Sequence, residues 1–125
     1  ERADLAAIHK INGNGALIGI AGIMGDLFAI GHAQGVAPEQ VLELIKAFPV
    51  GRSLPGIAQR VLGAPGMAAS FEMTMARKDL GLMVDAAGGR ENLVCLPGLA
   101  DSMDDRIAEG KGKHDFANFA WPNRD

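Results

Sequence analysis

The sequence predicts an all-α domain built around one long, glycine-bearing helix, and three observations carry that expectation. The first thirty or so residues contain no proline and keep apolar residues at helical spacing, HKINGNGALIGIAGIMGDLFAIGH. Each later apolar segment opens at a helix-start signal and closes at Gly or Pro. No stretch alternates apolar and polar residues convincingly over four to eight positions, as a half-buried strand would. At 125 residues, 48% hydrophobic and 22% charged, the chain is one globular domain's worth, with enough apolar side chains for a core.

The first helix runs from Ala3 to His32, with Asp4 placed to cap its start. Gly13, Gly15, Gly19, Gly22, Gly25 and Gly31 lie inside it, each costing about 1 kcal/mol relative to Ala, so packing must supply what propensity does not. Gly15, Gly19 and Gly22 share a face, as do Ala21 and Gly25, and a neighbouring helix could approach closely there. The helix is therefore expected to be central and buried on several sides. Gly35 ends it.

Pro38 opens a second helix in GVAPEQVLELIKAF, with Glu39 near its positive end and Val41, Leu42, Leu44, Ile45 and Phe48 facing inward. Pro49 stops it. Ser53 is placed to cap a short third helix, SLPGIAQRVL, and GAPGMAAS follows as a loop. A fourth helix spans Phe71 to Ala87, carries Met73, Met75, Leu80, Leu82, Met83 and Val84, and closes at Gly88-Gly89. Pro97 opens a fifth, LPGLADSMDDRIAEG, after a possible short extended segment, ENLVCL. Asp115 caps a last piece, DFANFAW.

Charge and cysteine use narrow the function classes. A net charge of -3 and a pI near 5.5, with scattered Lys and Arg, argue against nucleic acid and anionic membranes as partners. Cys95 is alone and His9, His32 and His114 lie far apart, so no metal-ligand spacing is present and no bound metal is expected. A lone cysteine fits a reducing, cytoplasmic setting. ERADLAAIHK has acids where a signal peptide has bases, and the apolar run Gly15 to Gly25 covers about half of a bilayer crossing, so no targeting or membrane segment is expected.

The chemistry-bearing stretch is HKINGNG. Its glycines fall at G-x-G-x-x-x-G after a helical pattern, which does not fit a dinucleotide-binding turn. On a helix, Lys10 and Asn14 share a face and Gly13 keeps it low beside them, leaving room for a small ligand. The plainer reading is a solvated first turn. Lys78 stands between Met75 and Leu82 on a mostly apolar face, where it either serves a site or snorkels and pairs with Asp79 or Asp85.

Taken together, these pieces resemble the C-terminal domain of the β-hydroxyacid dehydrogenases, a family that includes 3-hydroxyisobutyrate dehydrogenase and, more distantly, 6-phosphogluconate dehydrogenase. The resemblance rests on K-x-x-x-N heading a long glycine-bearing helix, G-V-x-P-E-Q-V, the G-R-S of Gly51 to Ser53, F-x-M-x-M-x-x-K-D-L-x-L from Phe71, and a closing K-H-D-F. It implies that Lys10 is the catalytic acid/base, Asn14 and Gly13 contact a small hydroxyacid or semialdehyde substrate, and Lys78 approaches an NAD or NADP cofactor. It also implies a homodimer or higher assembly, and an N-terminal Rossmann domain that holds most of the cofactor and is absent from these residues. On this reading the chain is a domain of a longer oxidoreductase, silent alone. Two positions depart from the family pattern: Asp4-Leu5-Ala6-Ala7 stands where a glycine-rich turn and a Gln are usual, and Gly13 replaces an Asn beside Asn14. The competing reading is a non-catalytic helical dimerisation module that keeps the fold.

Overall fold

The computed structural model describes residues 4–63 and 67–121. Among them the chain is helical throughout, without a strand: α1 (Leu5–Ala33), α2 (Pro38–Ala47), α3 (Val50–Leu62), α4 (Met73–Ala86) and α5 (Leu96–Arg106). Short 3-10 helices at Arg90–Asn92 and Phe116–Ala120, and a wide turn over Ile107–Lys111 with Gly110 at φ +83°, complete it. The expected start of the first helix at Ala3 lies outside the described residues. ENLVCL is not a strand but the 3-10 turn followed by an extended Leu93.

Most boundaries obey the local signals. Beyond α1, Gly35 takes φ +72°, and the Val36 and Gly35 amides donate to the Gly31 and His32 carbonyls at 2.8 and 3.0 Å. That double bond is a Schellman ending, and α4 repeats it. Gly88 at φ +80° and Gly89 send their amides to Asp85 and Val84 at 3.0 and 3.1 Å. Pro38 occupies the first turn of α2, where Gln40 Oε1 accepts from the Ala37 amide at 3.2 Å, half of a capping box because Ala37 has no side-chain oxygen to return the bond. Asp4 holds the N-cap position of α1 without a capping side-chain bond.

Ser53 does not cap α3. The helix begins a turn earlier, at Pro49, and encloses both Ser53 and Pro55. Proline's restricted φ starts a helix readily, whereas Pro55, as the sixth residue, forfeits one internal bond.

The core lies between α4 and α5. Met73, Ala76, Leu80 and Ala87 meet Leu93, Leu96, Ala100 and Met103, while Phe116 and Phe119 close one end. On α4 this buried set recurs every three or four residues, and Met75, Leu82 and Met83 face solvent instead.

The expectation that the first helix is central and wrapped is corrected here. Only the C-terminal half of α1 joins the core, through Ile23, Ala29 and Ile30, and Asp26 and Gly31 are its only buried residues. From Asp4 to Ala21 every residue but Ile8 is exposed. Likewise, of the five residues expected to face inward from α2, Val41 alone is buried, and Leu42, Leu44 and Phe48 are exposed. The reason is the same in both helices: periodicity defines an apolar face, but the face is buried only where another element reaches it.

By length and composition α1 is also apolar enough to cross a membrane. Its uncharged stretch, residues 11–25 between Lys10 and Asp26, rises about 22 Å, less than the ~30 Å of a bilayer's hydrocarbon.

Candidate functional site

Lys10, Gly13 and Asn14 stand together on the uncovered half of α1. Lys10 and Asn14 are one turn apart, so their Cβ atoms are neighbours at about 6 Å. Both are exposed, and neither makes a hydrogen bond or ion pair among the described residues. A side chain added at Gly13 would meet nothing within 4 Å, which leaves the space beside them open. Around this group, Ile11, Leu17 and Ile18 remain 69%, 68% and 74% exposed.

Lys78 lies in the middle of α4 on its outward face, with the exposed Met75 and Leu82 one turn to either side. It is exposed and pairs with neither Asp79 nor Asp85. No hydrogen bond or ion pair links it to Lys10 or Asn14. Sequence proximity along α1 thus brings Lys10, Gly13 and Asn14 together, and no bond among the described residues joins Lys78 to them. Lys10 does not stand at the head of a buried helix, because that part of α1 is exposed.

The most tightly held polar groups are elsewhere. Asp26, 1% exposed, reaches from α1 to the start of α5 and accepts from three successive amides: Val94 at 2.6 Å, Cys95 at 2.9 Å and Leu96 at 2.8 Å. Its carboxylate does for α5 what an N-cap residue does, but from a helix about seventy positions away. Burial pushes this carboxyl up, and the amides of Val94, Leu96 and Cys95 outweigh it, so its pKa lies below the ordinary carboxylate value. The signal for it was in the sequence: Asp26 is the only acid of α1 and sits in GIMGDLFAIG, where a charge is tolerated only with full hydrogen bonding.

Asp115 caps the last 3-10 helix as expected, its Oδ1 accepting from the Ala117 amide at 3.1 Å. Its Oδ2 does more, accepting from Arg60 at 2.7 Å and from the amide and hydroxyl of Ser70, both at 2.9 Å. This carboxylate ties α3, which has no buried residue of its own, to the body of the domain. Burial raises its pKa, but the Ser70 and Ala117 amides, the Ser70 hydroxyl and the Arg60 guanidinium together hold it below the ordinary value. A third buried group, Arg106, donates to Glu109 at 2.8 Å and to Asn118 at 3.4 Å, while its Nε has no partner.

Two alternatives to the α1 face offer less chemistry. A cavity of about 240 Å³ between α1 and α2 is walled by Leu27, Ile30, Val36, Val41, Leu44 and Ile45 and contains no titratable side chain. Among the described residues no three His, Cys, Asp or Glu side chains gather as a metal site would require.

No family model matches the sequence, and no curated protein matches it.

Proposed function

We propose that this chain is the C-terminal helical domain of an NAD(P)-dependent β-hydroxyacid dehydrogenase acting on a small 3-hydroxy acid or semialdehyde. The observation that carries the reading is the α1 face itself. A lysine and an amide stand one turn apart, beside a glycine that leaves the space open, on a stretch of helix that no other described element covers. A solvated helix end has no need of that combination.

Lys10 is the acid/base in this reading. It gives a proton to the carbonyl oxygen during reduction and takes the hydroxyl proton during oxidation. Asn14, one turn on, orients the substrate by donating from its amide to a carboxylate or to the reacting oxygen, and Gly13 makes room for the ligand. The nicotinamide, when bound, supplies or accepts the hydride. The amides at the start of α5 already belong to Asp26, so that helix start is not free to cradle the cofactor's pyrophosphate. Lys78, exposed and unpaired, is the cation available to it. In this reading the cradle falls to an N-terminal Rossmann domain, and that domain or a second copy covers the free half of α1. A cytoplasmic homodimer or larger assembly completes the proposal.

The second reading, a non-catalytic helical module, draws on the exposed Ile11, Leu17 and Ile18, which an assembly surface explains without any chemistry. Turnover separates the two. In the enzyme carrying this domain, Lys10→Ala lowers kcat by about two to four orders of magnitude with a smaller effect on cofactor binding. Near-normal kcat removes Lys10 from the mechanism and leaves the module. The 125-residue chain by itself shows no measurable dehydrogenase activity and little affinity for NAD(H) or NADP(H), and turnover by it refutes the division of labour.

A further inference from the structure

Asp26 is buried, fully bonded, and used by no step of the chemistry above. Its three acceptor bonds all go to consecutive amides of one helix start, so they fix both the rotation of α1 about its axis and its sliding position against α5. One turn earlier, Gly22 lies against Cys95, whose Sγ would come within 2.5 Å of any added Cβ. The same short segment, Val94 to Leu96, therefore receives α1 at two successive turns. Beyond that point, toward the N-terminus, every residue of α1 but Ile8 is exposed.

We infer that Asp26 is a positioning residue: its clamp on the first turn of α5 sets the direction in which the free half of α1 presents Lys10 and Asn14. For its functional consequence this rests on the reading of Lys10 given above. Its mechanical part stands independently. Lys10 precedes Asp26 by sixteen residues, about 24 Å of helix, so a tilt of about 5° at the clamp carries Lys10 about 2 Å. Displacements of that size are costly wherever a proton must be handed to one particular atom. No other polar side chain of α1 is buried to resist such a tilt.

The test uses the full chain in a Cys95→Ser background, with nitroxide labels at Ala7→Cys on the free half of α1 and Asp105→Cys on the exposed face of α5. Pulsed electron paramagnetic resonance reads the distance distribution between them, and far-ultraviolet circular dichroism with thermal unfolding reads the fold. The parent gives one narrow distribution. Asp26→Asn keeps the size and loses one acceptor oxygen and the charge, and it widens the distribution about twofold with helix content unchanged. Asp26→Glu keeps the charge, adds one methylene, and moves the mean while leaving the distribution narrow. Folded variants whose distributions match the parent overturn the inference. So does failure of both variants to fold, which makes Asp26 a requirement of the fold as a whole and not the residue that aims one helix.

In the enzyme, Asp26→Asn lowers kcat about tenfold with KM for the cofactor unchanged, the split expected when the proton donor is misplaced and cofactor binding is not. If the labels respond while Lys10→Ala leaves turnover intact, the clamp is correct and the acid/base role of Lys10 is not. Unmoved labels with a silenced Lys10→Ala variant mean the opposite.

Discussion

The two halves of α1 share one helix, yet in one half Gly22 and Gly31, though not Gly25, meet neighbouring side chains, while the glycines of the other meet none. In the C-terminal half, an added Cβ at Gly22 or Gly31 would come within 2.5 Å of Cys95 Sγ or Val41 Cγ2, so glycine is what lets α5 and α2 approach. In the N-terminal half, Gly13, Gly15 and Gly19 face open space. Each still carries the helix penalty of about 1 kcal/mol, with no packing inside this chain to offset it. A glycine in a helix is therefore explained only by the surface it meets. For the free half, no such surface is present among the described residues.

The largest test of this contrast removes the anchor of the packed half. Asp26→Ala strands three amide donors at a helix start and lowers stability by about 2 to 4 kcal/mol, measured by urea unfolding. Loss below 1 kcal/mol shows that water replaces the carboxylate freely and that the two halves are held alike. Next is Gly31→Ala, where the new methyl presses on the β-branched and buried Val41. The expected cost is about 1 to 3 kcal/mol by overpacking, read as a lower melting temperature. Gly22→Ala is milder, because Cys95 Sγ can turn aside.

Acid titration sharpens the same contrast. Asp26 and Asp115 both have folded pKa values below their unfolded values. Their contribution is therefore complete above the unfolded value of about 4 and is lost as pH falls through the folded values. Acid unfolding followed by circular dichroism should begin below about pH 4, and Asp26→Asn should reduce its steepness. An unchanged profile means the carboxylate is not ionised in the fold.

The smallest effect has the opposite sign. Gly15→Ala and Gly19→Ala in the single chain gain about 0.5 to 1 kcal/mol each, since nothing opposes the methyl and helix propensity favours it. Gly19→Leu is likewise tolerated by the isolated chain. If the free half is closely covered in an assembly, the same substitution costs about 1 to 3 kcal/mol there and lowers the oligomer fraction seen by light scattering. Unequal behaviour in the two settings locates the missing surface.

What the sequence made legible was what local chemistry decides. The five helices and their order follow from apolar spacing and from punctuation by Gly35, Pro38, Pro49, Gly88 and Pro97. Asp115 was readable as a cap because its bond to Ala117 spans two residues. Burial was not readable in the same way. The apolar face of α2 exists as its spacing implies, but Leu44 and Phe48 stay exposed because no later element folds over them. Ser53 lost the cap because Pro49, read only as the stop of α2, also stands at the N-cap of α3. At the candidate site, spacing alone placed Lys10 and Asn14 on one face. Their exposure, and the separation of Lys78, depend on which half of α1 the α4–α5 core reaches. The bonds of Asp26 cross about seventy residues, and no local pattern contains their partner.

That separation has a consequence during synthesis. An unaided chain growing at about 5 to 20 residues per second produces Asp26 about 3 to 14 s before Leu96, and in that interval the most apolar helix of the protein exists without the amides that hold it. For most of that interval α4 is unfinished, and α5, the other half of the core it packs on, has not begun. A nascent α1 is therefore a natural substrate for a chaperone that shields apolar helices. Slowing elongation between the codons for Asp26 and Leu96 should increase aggregation, whereas slowing it after Leu96 should not.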